Sequence, residues 1–132
     1  MNLHRLIPAA AGVSLALLAA APAAHATGET GDAARGATVF ATDCAECHSV
    51  KEGKDKKGPS LFGIVGRGAA AHPGFAYSDA MKAAPRVWTP EALSAYLASP
   101  KQAVPGGKMK YEGLPGAAAR ADLIAYLAAA GK

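Results

Sequence analysis

Cys44-Ala45-Glu46-Cys47-His48 is the stretch around which this 132-residue chain is organised. Two thiols in a Cys-x-x-Cys spacing can each add to one vinyl group of the same porphyrin, forming thioethers. The imidazole next in line then falls beneath the iron as its proximal ligand. The same five residues admit other readings: a redox dithiol, a structural disulfide, or half of a zinc site. The chain has two cysteines and both lie in this pentapeptide, so no second cysteine pair completes a zinc ribbon or finger. A thioredoxin-like dithiol belongs at the end of a strand in a βαβ pattern, and that pattern is missing. The histidine directly after the second cysteine selects haem attachment.

Upstream, Met1 to Arg5 is short and basic, Leu6 to Ala21 is nearly all apolar, and Ala24-His25-Ala26 has the small-x-small form that signal peptidase accepts. Residues 1–26 are therefore expected to be a cleaved secretory signal peptide, with Thr27 starting the mature chain. The rival is an uncleaved membrane anchor, since Leu6 to Ala24 approaches spanning length. Pro8, Pro22 and the many weakly hydrophobic alanines weigh against it. Export also suits the chemistry, because haem and reduced thiols must meet outside the cytoplasm. The periplasm is the expected location.

Residues 27–132 are enough for one small domain. A core of that size is marginal alone, and a buried porphyrin would supply much of the missing apolar contact, so the apo-protein should fold poorly. The formal charge of +4 falls to +3 when Arg5 leaves with the signal peptide. That excess is too small to suggest nucleic acid, and no patch of interleaved aromatic and basic residues is present.

Thr27 to Gly31 reads as a flexible lead-in. From Asp32, the small or apolar Ala33, Gly36, Ala37, Phe40, Ala41 and Cys44 recur at helical spacing, with Asp32 or Thr30 available as cap. Gly36 costs about 1 kcal/mol against alanine inside a helix, and a close helix crossing is the reading that justifies it. Lys51 to Pro59 is a charged, glycine-punctuated loop, and Gly63, Gly66 and Gly68 keep the next stretch irregular. Leu61, Phe62, Ile64 and Val65 are apolar enough to pack on a porphyrin edge. Ser78 can cap a short helix through Met81. Thr89-Pro90-Glu91 starts a further helix with Leu93, Tyr96 and Leu97 on its buried face, and Ser99-Pro100 stops it. Lys101 to Gly116 reads as loop and contains Met109. A last helix runs from about Ala117, with Leu123, Tyr126, Leu127 and Ala130 along one stripe and Gly131 as its stop. No strand pattern competes. The expected fold is all-α: three main helices, with short helices and loops, wrapped around one covalent haem. For the sixth position at iron the residues leave Met81, Met109, His72 and several lysines open, with Met81 read as a buried helix position and His72 as a solvated turn residue.

Residues 36–131 resemble the class I cytochromes c, especially mitochondrial cytochrome c and its small soluble bacterial relatives. The resemblance runs through Gly36 and Phe40, the Cys44–His48 pentapeptide, Gly58-Pro59-Ser60-Leu61 and Gly63-Ile64-Val65-Gly66-Arg67. It continues through residues 73–80, Trp88, Tyr96-Leu97, Pro105-Gly106-Gly107-Lys108-Met109 and residues 120–127. It implies that Met109 is the sixth ligand and that the Pro59 carbonyl accepts from His48 Nδ1–H. By the same resemblance Tyr96 lies near the Met109 sulfur, Arg67, Tyr77 and Trp88 meet a buried haem propionate, and Gly36 and Phe40 cross the final helix near Leu123 and Tyr126. The sequence departs from the pattern at Ser60, usually asparagine; Met81, usually a buried asparagine; Gly107, usually threonine; and Tyr111, usually phenylalanine. One residue is missing between Lys51 and Lys57.

The resemblance implies a one-electron carrier with one haem c and His48/Met109 iron ligation, not an enzyme. Two strong axial ligands leave no vacancy for a small-molecule substrate. Lys51, Lys54, Lys56 and Lys57 on one side and Lys101, Lys108 and Lys110 on the other form an expected basic rim. It suits transient docking of a monomer to acidic patches on membrane-bound or periplasmic redox proteins.

Overall fold

In the computed structural model, which describes residues 30–132, helices account for all the regular structure. The expectations for residues 1–26 lie outside the described residues. Helix α1 (Ala33–Val39) starts where Asp32 accepts a hydrogen bond from the Arg35 amide at 2.9 Å. It does not run on regularly to Cys44. Residues Phe40–Cys44 form a wider π-turn closed by the Ala45 amide donating to the Phe40 carbonyl at 2.9 Å. Ala41, expected on the packed face, is exposed.

Three short or medium helices come next. Helix α2 (Asp79–Lys82) is capped by Ser78, whose hydroxyl accepts from the Met81 amide. Helix α3 (Pro90–Ala98) is capped by Thr89, carries proline in its first turn and buries Leu93, Tyr96 and Leu97. The segment after Ser99 is not all loop: Pro100–Ala103 forms one further turn, α4. Pro100 has the backbone angle a helix start needs, so the residue that stops α3 also starts the next turn.

The long helix α5 (Ala117–Ala130) buries Asp122, Leu123, Ile124 and Leu127 and ends at Gly131. It crosses α1 at backbone contact. A Cβ on Gly36 would lie 1.9 Å from the Asp122 carbonyl oxygen and 2.8 Å from Tyr126 Cβ, so only glycine fits. Gly31 meets the Ala121 carbonyl in the same way and is part of the crossing, not of a flexible lead-in. Phe40 stacks beside Tyr126 with ring centroids 5.4 Å apart. Asp122 joins the two ends of the contact, accepting from the Asp32 amide at 2.7 Å and from Arg35 Nε and Nη2 at 2.7 and 2.9 Å.

The chain between residues 45 and 78 is irregular, with one isolated antiparallel bridge between Gly68 and Val87 and no strand among the described residues. The fold is all-α, as expected. The π-turn that follows α1 and helices α3 and α5 form three walls, and the irregular chain closes the remaining side.

Candidate cofactor site

Those walls enclose a cavity of about 530 Å³, within the range of cofactor pockets. The end of the π-turn brings Cys44 to it, and the turn after that brings Cys47 and His48. Both thiols are free. Burial, followed by the Asp43 and Cys47 charges, pushes the Cys44 thiol up to about 11. At neutral pH it is a protonated, apolar-facing group.

His48 is buried at the same end, with Nδ1 2.8 Å from the Pro59 carbonyl. A carbonyl can only accept, so Nδ1 carries the proton and Nε2 keeps its lone pair. Burial holds the imidazole below its ordinary range, against the Pro59 bond, which raises it. The neutral, ligating tautomer is therefore the one this environment favours. Gly58 lies against the ring: a Cβ there would be 2.4 Å from His48 Cε1. Any side chain at 58 would displace the imidazole.

Met109 also faces the cavity, and Tyr96 O–H points at its sulfur at 3.4 Å. Tyr96 is held in turn by Trp88, with ring centroids 5.0 Å apart. Pro59, Arg67, Tyr77 and Trp88 line the cavity too, so the structure brings together all nine residues singled out in the sequence. Of the other candidate ligands, Met81 is half-buried on the cavity wall. His72 is elsewhere, and it is not a solvated turn residue. Its side chain is 12% exposed and Nε2 lies 2.8 Å from Asp55 Oδ1. Asp55 also accepts from the Ser60 amide, so its carboxylate ties together the two loops that carry Ser60 and His72. Leu61 and Ile64 line the cavity, whereas Phe62 faces a separate one of about 390 Å³ and Val65 lines neither.

The lining fits a flat apolar group that carries carboxylates. Leu93, Leu97, Leu123 and Leu127 supply hydrocarbon walls. Arg67 donates through Nη1 to the Phe62 carbonyl at 2.9 Å and through Nη2 to the Ser60 carbonyl at 3.0 Å. Its buried Nε has no partner among the described residues. An unpaired guanidinium donor on an otherwise apolar wall is costly, and a carboxylate inside the cavity would satisfy it.

At the cavity mouth sequence reasoning noted Tyr111 and the lysines but missed Thr42, Asp43 and the bond between Asp43 and Tyr111. Thr42 and Asp43 line it from the π-turn, and Tyr111 lines it from the Met109 loop, its hydroxyl donating to Asp43 Oδ2 at 2.8 Å. Burial, then the bond to Asp43, pushes the Tyr111 phenol above its ordinary range. An acid directly before the first cysteine and a tyrosine two residues after the methionine were the available signals. The lysines around the mouth are partly committed: Lys57 pairs with Glu46 and Lys101 with Glu112, while Lys108 Nζ donates to the Ala76 carbonyl at 3.1 Å.

A family model described as cytochrome c matches residues 33–130. Among curated relatives, the "Cytochrome c-type cyt cy" of Rhodobacter capsulatus is 52% identical over 98 residues, covering 74% of this chain and 49% of that protein. Cytochrome c2 of Rhodopila globiformis is 46% identical over 97 residues, covering 74% of this chain and 92% of the relative. Cytochrome c of Euglena viridis is 43% identical over 97 residues, covering 74% and 95%. The matched region thus spans about half the length of the first relative and nearly all of the other two.

Proposed function

The chain belongs to the cytochrome c family, and from that premise we propose that it carries single electrons between larger redox partners. It does so through one haem c joined to Cys44 and Cys47, with His48 and Met109 as iron ligands. The observation that carries this is the convergence of His48 and Met109 on one cavity, each aimed by its own partner: Pro59 for the imidazole, Tyr96 for the sulfur. When bound, the haem supplies a one-electron iron couple.

The chain's own residues set the rest. The Cys44 and Cys47 thiols tether the group beside His48. Met109 contributes a soft thioether, which favours the reduced state, and the leucine walls exclude water and disfavour the extra positive charge of the oxidised state. Arg67, whose Nε is left unpaired, would hold a carboxylate of the group, with Tyr77 and Trp88 lining the same cavity. With His48 and Met109 both as ligands, the iron would have no position left for substrate. Residues 27–132 form the working domain, exported to the periplasm behind a cleaved 1–26 leader. Partners dock transiently at the cavity mouth, where Lys57, Lys108 and Lys110 stand.

A potentiometric titration followed by absorption, on protein matured with haem, tests the assignment. Low-spin six-coordinate iron and weak binding of carbon monoxide or cyanide are expected. Met109→Ala should open the iron and lower the potential by on the order of 100 mV, within the ~0.8 V that axial ligation spans. Retention of the native spectrum and potential in that variant would reject Met109 as ligand.

A further inference from the structure

We propose that Asp43 and Tyr111 form a latch across the cavity mouth that holds the Met109 loop closed and so keeps foreign ligands from the iron. The proposal rests on Met109 being the sixth ligand and names the residues that hold it in place.

The Met109 loop has little backbone support. Upstream, the Gly107 amide donates to the Val104 carbonyl at 3.0 Å; downstream, the Leu114 amide donates to the Leu97 carbonyl at 2.8 Å. From Lys108 to Gly113, no backbone group bonds to another backbone group among the described residues. The placement of Met109 therefore depends on side chains. Lys108 to Ala76 and Lys101 to Glu112 are exposed contacts of long, flexible side chains, the kind that contributes little. Tyr96 touches the sulfur itself. Tyr111 remains, a stiff half-buried ring whose hydroxyl donates at 2.8 Å to a carboxylate 68 residues away in sequence.

The anchor at the other end is firm. Asp43 lies in the π-turn of Phe40–Cys44, which is continuous with α1 and ends at the first attachment cysteine. One inserted residue rotates the downstream chain by about 100° around a helix axis. In this widened turn Asp43 comes to line the mouth opposite Tyr111. Asp43 and Tyr111 thus join the segment that carries Cys44 directly to the loop that carries Met109. Phenylalanine at 111 would keep the ring and lose only this connection.

A foreign ligand reaches the iron only in molecules whose loop is open, so its apparent affinity scales with the open fraction. Removing a hydrogen bond to a carboxylate should raise that fraction about tenfold, the equivalent of about 1.4 kcal/mol. Imidazole titrations of the oxidised holoprotein, read by absorption, test this. Tyr111→Phe and Asp43→Ala should each bind imidazole about tenfold more tightly than wild type, and the double variant no more tightly than either. Asp43→Asn, which keeps an acceptor, should stay within about threefold of wild type. Single variants within about twofold of wild type, or single effects that multiply in the double, overturn the latch. Met109→Ala separates the two levels. A gain there without one in Tyr111→Phe overturns the latch alone. No gain in either variant overturns the ligand assignment and the latch with it.

Discussion

A carboxylate on the buried face of an alanine-rich helix is costly unless donors meet it, and Asp122 is met by three: the Asp32 amide and two nitrogens of Arg35. The Arg35 hydrogen bonds, then the Asp32 amide, hold its carboxyl below the ordinary carboxylate range. A lowered folded-state value means stability that is complete above the unfolded carboxyl's titration and is lost as pH falls through the folded one. Asp122→Asn should therefore melt below wild type at neutral pH, and the gap should close on acidification. Melting temperatures of the two holoproteins across the acid range check this. A gap that is constant with pH would assign the loss to packing instead.

At the scale of elements, the α1–α5 crossing shows where intrinsic propensity and packing point in opposite directions. Alanine at 36 would gain about 1 kcal/mol in an isolated helix. Here its Cβ would meet the Asp122 carbonyl oxygen at 1.9 Å, and a backbone oxygen cannot rotate away as a side chain can. Overpacking of this kind costs typically about 1–3 kcal/mol, so after the helix-propensity gain Gly36→Ala should destabilise by up to about 2 kcal/mol net. Denaturant unfolding of the holoprotein measures it; an unchanged or higher midpoint would mean that the helices separate cheaply. The π-turn belongs to the same scale. It ends the regular helix at the point where the chain must present Cys44 to the cavity.

Over the whole molecule, the charge around the mouth is mixed rather than uniformly basic. Glu46 pairs with Lys57 and Glu112 with Lys101, and Asp43 lines the mouth from the π-turn. Lys110 lines the mouth and makes no ion pair among the described residues. Electron exchange with an acidic partner should slow as salt rises toward ~1 M, where the screening length falls to about 3 Å. Lys110→Glu should slow it more than Lys101→Glu, whose charge Glu112 already offsets. Stopped-flow rates across a salt series decide both points; a rate independent of salt would remove electrostatic docking altogether.

Features with local signals were legible in the amino-acid order alone. The pentapeptide spelled out its chemistry, Thr89-Pro90 marked a helix start through backbone angle and capping, and periodicity assigned the buried face of α3. In α5 it assigned Leu123 and Leu127, though Tyr126 and Ala130 are only half-buried and Asp122 and Ile124 take the remaining buried places. Gly36 announced a crossing because a mid-helix glycine is unfavourable without one. Resemblance, not spacing, pointed to Met109, since a methionine in a glycine-rich loop carries no local signal of where its sulfur goes. The fold decided the features that depend on distance through space. It made one more helical turn of Pro100–Ala103 and turned His72 from an expected solvent residue into a partner of Asp55. It drew Gly31 into the crossing and set Asp43 against Tyr111 at the mouth. The last three are contacts between segments separated along the chain, and composition and periodicity register only neighbours.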